Sequence, residues 1–230
     1  MNTTRSTAGE FADTEDWVAV SRSRADFYAW FSALFTAELT DDALAAYRRG
    51  DASDLLAALD AVGLTEEVTR LHRAVHAWDA LPLLRLELAA DFSRLFLLDA
   101  RDAAAPYASA YLDRQLYGEP HAQMRAFLAS GGLRVHTDFK EPADHLAVFL
   151  AFLENNIRKA AHASVPERRQ AIALQADFLN NALLSWLPQF NMRCQALRTQ
   201  TASDFYPAAA ALLLAFARAD AESLDTEDAP

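Results

Sequence analysis

The residues best suited to chemistry stand together in FKEPADHLAVFL, residues 139–150, where Asp144 and His145 follow Glu141 and Pro142. An imidazole oriented by a carboxylate can act as a general base. Successive helical residues point about 100° apart, however, so adjacent Asp144 and His145 cannot readily face each other if both are helical. With Pro142 as the first helical residue its missing N–H costs nothing, and Asp144 falls in the first turn, where the helix dipole favours a carboxylate by about 0.3–1 kcal/mol. The stretch then reads as a helix start. His72 and His76 have the four-residue spacing of two metal ligands on one helix face. Arg73 stands where a zinc protease has its glutamate, and no third ligand is evident, so no metal is expected. Serine, threonine and cysteine lack any nucleophile motif, and Cys194 reads as a packing residue.

Helices must position these residues. Phe27, Phe31, Leu34 and Phe35 share one face of a helix expected from about Ser23 to Glu38. Further helices are expected over Ser53–Leu59, from about Thr65 to Trp78, and from Leu84 to Leu98 beyond Pro82. Residues 99–118 read as a surface connection packed by Tyr107, Tyr111 and Tyr117. A helix over Pro120–Ser130 stops at Gly131-Gly132. Three more are expected: Pro142 to about Ala161, Pro166 to Leu187 closed by Pro188, and about Tyr206 to Arg218. The fold class is an all-α helical bundle. Its expected organisation is a disordered tail over 1–22, a helical subdomain over 23–130, a hinge over 131–141, a second subdomain over 142–218 and a disordered acidic tail over 219–230.

Composition agrees with helices: 52% of the 230 residues are hydrophobic, with only 6 Gly and 8 Pro, and Ala and Leu recur throughout. Of the formal net charge of −11, residues 1–16 hold −3 and residues 219–230 hold −5, so the rest of the chain is close to balanced. No basic stripe stands out, which disfavours nucleic acid as a partner. A single cysteine excludes an internal disulfide. The N-terminus lacks the apolar core of a secretory signal, and the apolar run Ala208–Ala217 is 10 residues, short of the ~20 that span a bilayer. A soluble, cytoplasmic protein is expected.

Five phrases in order, YAWFSALFTAELT (28–40), RLELAADFSRLFLL (85–98), PYASAYLDRQLYGEP (106–120), HTDFKEPADHLAVFLAFL (136–153) and WLPQF (186–190), resemble the TorD family of cytoplasmic chaperones for molybdenum-containing reductases. The resemblance covers about residues 24–217, and EPADH is its most specific phrase. PYASxYL and FKEPADHLA are similar to the branch that serves trimethylamine N-oxide reductase. The resemblance implies a protein with no enzymatic activity and no cofactor of its own. It implies binding of the apo-reductase and its twin-arginine leader peptide, favouring molybdopterin insertion before export. The implied client and leader contacts are Asp91, Glu141, Pro142, Asp144 and His145, with Tyr111 and Tyr117 from the matching tyrosine phrase. Some members bind guanine nucleotide weakly, for which this sequence offers no phosphate loop. Some exchange halves between protomers, so a monomer or a domain-swapped homodimer is expected. The alternatives are a chaperone for a dimethyl sulfoxide or nitrate reductase, and a small nucleotide hydrolase using His145.

Overall fold

The computed structural model describes residues 4–99, 101–115 and 117–227. Among them the regular elements are helices, with one isolated bridge between Tyr107 and His145. The first half contains α1 (Thr4–Thr36), α2 (Asp41–Arg49), α3 (Ser53–Ala61), α4 (Thr65–His76), α5 (Leu84–Phe92) with a wider turn over Ser93–Leu97, and the short α6 (Ser109–Leu112). The second contains α7 (Glu119–Ser130), α8 (Leu146–Ala160), α9 (Val165–Asp177) with a wider turn over Phe178–Leu183, α10 (Leu187–Leu197) and α11 (Phe205–Glu227).

The segment FYPAAAALLLAFA at the start of α11 is apolar on every side, the signature of a helix surrounded by others. It is accordingly buried on almost every face and packs against α4, α9 and α10, while α8 lies along α1. Aromatic rings knit these layers: Phe27, Tyr28 and Phe31 of α1 meet Phe216 of α11, and Phe35 meets Phe96 and Phe190. Arg70 of α4 donates to both carboxylate oxygens of Asp204 at 2.8 Å and to Gln195 of α10 at 2.7 Å, pinning the entry of α11.

The core does not divide at residues 131–141: one hydrophobic cluster runs from Ala25 to Leu224 and joins α1 and α4 to α8 and α11. Both expected tails also differ. α1 is already helical from Thr4, with Trp17 donating to the Ala160 carbonyl at 3.2 Å and Arg168 lying over its ring. Asp220, counted from sequence as part of a solvated acidic end, is buried and ion-paired with Arg24. The tail assignments treated charge as exposure, whereas an acid on the buried face of α11 needs only a cation on α1.

Besides the short α6, two helices escaped the sequence reading. α2 carries its signals openly: Thr40 accepts from the Ala43 N–H at 3.2 Å, Asp41 and Asp42 occupy the first turn, and Gly50 ends the helix at φ 82°. α10 was hidden by Pro188, read as a stop. Proline is tolerated in a first turn because its nitrogen needs no intrahelical partner there, and Pro188 opens this helix.

Candidate functional site

α8 begins at Leu146 rather than Pro142, because His145 is extended (φ −69°, ψ 140°) and its Nδ1 accepts from the Ala147 N–H at 3.1 Å. Histidine is thus the N-cap, and Pro142 to His145 form a turn closed by the His145 N–H on the Pro142 carbonyl at 3.1 Å. Asp144 therefore gains nothing from a first helical turn.

The turn is tied to the tyrosine-rich segment 35 residues upstream. The Ala108 N–H donates to the Asp144 carbonyl at 3.0 Å, the Leu146 N–H to the Pro106 carbonyl at 2.8 Å, and the Ser109 N–H to Asp144 Oδ2 at 3.0 Å. PYAS and EPADH are consequently two strands of text for one structural unit. Asp144 is 0% exposed and its Oδ1 lies 3.5 Å from His121 Nδ1, which itself accepts from the Ala143 N–H at 3.1 Å. The His145 ring sits between the edges of Tyr107 and Phe139, at 5.1 and 5.4 Å. Burial lowers its pKa to about 4 against the smaller opposing pull of Glu141 and Asp144. A neutral imidazole whose Nδ1 lone pair is already engaged is a structural group and a poor general base, which weighs against the hydrolase alternative.

The expected site residues thus separate by exposure. Glu141 is exposed and accepts from the Tyr107 hydroxyl at 2.6 Å, Pro142 is half-buried, and Tyr117 is 62% exposed with its ring against His121. Asp144 and His145 hold the turn from beneath. Tyr111 belongs to the core, its ring stacked on Trp186 at 5.8 Å and its hydroxyl buried. Asp91 is not in this cluster. It is 3% exposed on α5, where its two oxygens accept from the Ala202 and Ser203 N–H groups at 2.8 Å and so hold the turn that leads into α11. Burial pushes its carboxyl pKa up and those two bonds only partly oppose the shift. Asp91→Ala leaves the buried Ser203 N–H without its acceptor, and a loss of about 2 kcal/mol is expected in urea unfolding with leader affinity unchanged. An unaltered midpoint would contradict this structural role. Sequence reasoning took Tyr107, within PYAS, only as a packing residue and passed over His121, directly after Pro120.

Beside Glu141 an apolar surface opens. A cavity of about 480 Å³ lined by Leu128, Val135, Phe139 and Glu141 adjoins one of about 290 Å³ that shares Leu128, Val135 and Phe139 and continues over Val148 and Phe152. Across Ser32 and Thr36 of α1 a third, of about 660 Å³, reaches Trp30, Leu34 and Leu39. Arg125 and Arg134 also border the Glu141 end. The arrangement offers one exposed carboxylate, Glu141, at the head of an apolar path whose far end is also lined by Glu38, Asp51 and Glu154.

The candidate site on this all-helical body is thus a surface suited to holding a partner. The chain belongs to the TorD family of chaperones. Residues 57–192 match the family model described as nitrate reductase delta subunit. Chaperone protein TorD of Psychrobacter sp. (strain PRwf-1) is 40% identical over 220 residues, which is 93% of this chain and 96% of that one. The same-named protein of Vibrio cholerae El Tor Inaba N16961 is 39% identical over 211 residues, covering 90% and 94%. A solved structure provisionally described as a redox enzyme maturation protein from Archaeoglobus fulgidus aligns with a TM-score of 0.45 at 19% identity over 88% of this chain and 93% of that one. No helix among the described residues is long and apolar enough to cross a membrane.

Proposed function

We propose that this chaperone acts in the cytoplasm on the apo form of a molybdenum reductase, the trimethylamine N-oxide reductase by the wording of its motifs. It engages the twin-arginine leader and so favours molybdopterin insertion before export. The observation that carries the reading is the accessible Glu141 carboxylate at the head of the apolar path over Phe139, Val148 and Phe152. A twin-arginine leader has the matching order, two guanidinium groups followed by an apolar stretch. Burial of the apolar stretch supplies most of the affinity at about 25 cal/mol per Å², and the exposed acid, worth about 0–1 kcal/mol per contact, supplies selectivity.

Asp91 and Asp144, expected from the family resemblance to meet the arginines, act instead through the scaffold: each is fully occupied with backbone N–H groups or buried beneath the turn. In calorimetric titration with a synthetic leader, Glu141→Lys exchanges attraction for repulsion, and affinity is expected to fall roughly 10-fold, the equivalent of about 1.4 kcal/mol, with the melting temperature unchanged. Equal leader affinity in parent and variant would remove Glu141 from the site. The chaperone needs no cofactor of its own in this scheme. The connector over 131–141 can close within one chain or pass the later helices to a second.

A further inference from the structure

We infer that the cavity bordered by α7, α8 and α9 binds an uncharged aromatic molecule bearing a carboxamide. Its volume of about 500 Å³ lies within the range of small-molecule sites. Three phenylalanines line it: Phe178 lies 4.7 Å from Phe152 and 5.0 Å from Phe127, and the latter two are 6.0 Å apart. Phe127 and Phe152 are only half-buried, which leaves ring surface for one more aromatic group. Gln175 of α9 lines the same cavity and is 3% exposed. Neither its amide nitrogen nor its amide oxygen has a hydrogen-bond partner among the described residues, and both atoms are shielded from solvent. Three residues further on, α9 gives way at Phe178 to the wider turn, a departure from α-helical geometry that is frequent at functional sites.

A buried amide whose donor and acceptor are both unpaired destabilises the fold, and a methionine would fill the same space without that cost. A ligand carboxamide answers both atoms at once, because its N–H donates to the Gln175 oxygen while its own oxygen accepts from the Gln175 nitrogen. The group it meets is neutral, so an ionised carboxylate buried in the same place would be left unpaired. The charges that border the cavity are of both signs, Lys159 against Glu167 and Asp177, and select neither. This reading does not depend on leader recognition, since among the described residues Phe152 alone lines both the cavity and the apolar path.

Benzamide is the direct probe, titrated into the full chain and followed by NMR of the ligand. Saturable binding is expected, with benzoate roughly 10-fold weaker or worse because it exchanges the N–H donors for a charge. Gln175→Met keeps the length of the side chain and removes the amide. The variant is expected to bind benzamide roughly 10-fold more weakly or worse, to keep the parent's leader affinity, and to melt at or above the parent's temperature because the unpaired group is gone. Absence of saturation at about 10 mM benzamide, benzoate equal to benzamide, or equal benzamide affinity in parent and Gln175→Met would each overturn the assignment. So would a variant that melts below the parent, since the amide would then be contributing stability from within the protein.

Discussion

Asp220→Ala is expected to lower the stability of the chaperone by about 3–5 kcal/mol, although the sequence places Asp220 among the charges of an acidic end. Its carboxylate accepts from Arg24 Nε at 2.5 Å, Arg24 Nη2 at 3.0 Å and the Tyr28 hydroxyl at 2.8 Å, all of them buried. The three groups tie α1 to the last turns of α11, the helix around which the others pack. Removing the acid takes three hydrogen bonds from buried groups, and breaking a buried ion pair costs far more than the intact pair contributes. Urea unfolding of the variant should show the lower midpoint with an unchanged slope. The double variant Arg24→Met with Asp220→Leu should regain part of the loss, because apolar side chains replace both members of the buried pair. A single-variant loss below about 1 kcal/mol would show that the pair contributes little to holding α1 on α11.

Acidification is expected to unfold the candidate site from beneath. His145 has its pKa lowered from 6.5 to about 4, burial being the larger cause. Between those values the unfolded chain binds a proton at this position and the native chain does not. The contribution is therefore complete above pH 6.5 and declines as pH falls toward 4, by about 3 kcal/mol at 1.36 kcal/mol per unit. His145→Asn isolates it. Asparagine is a good N-cap and keeps an acceptor for the Ala147 N–H, but it does not titrate. The difference in unfolding free energy between parent and His145→Asn should accordingly be steepest between pH 6.5 and 4 and flat above pH 7. A pH-independent difference would mean that the imidazole is hydrated in the native chain.

Much of this architecture is legible in the sequence, and the failures are physically specific. Periodic aromatic residues revealed the buried part of α1, and Gly131-Gly132 marked the end of α7, because one face of a helix or one turn residue suffices to specify each. Pro142 and Pro188 misled in opposite directions, the first read as opening a helix that starts at Leu146 and the second as closing one when it opens α10. Proline fits both a turn and a first helical turn, and only the neighbouring hydrogen bonds decide between them. The site residues were found as a phrase, but their roles depend on depth. EPADH contains one carboxylate that faces solvent, Glu141, and one with no exposure, Asp144, and the text alone does not order them. Asp91 is the plainest instance, since its partners Ala202 and Ser203 lie more than a hundred residues away in the chain. The pairing of Arg24 with Asp220 escaped notice for the same reason.

Affinity capture of the tagged protein from its own cells, under conditions where the reductase is being made, tests the central claim most directly when the captured chains are sequenced from their N-termini. The account predicts one molybdenum reductase, recovered from the parent as a precursor with its twin-arginine leader intact and recovered in smaller yield by Glu141→Lys. Recovery of the mature, leaderless enzyme alone, or of no molybdenum enzyme at all, would contradict it.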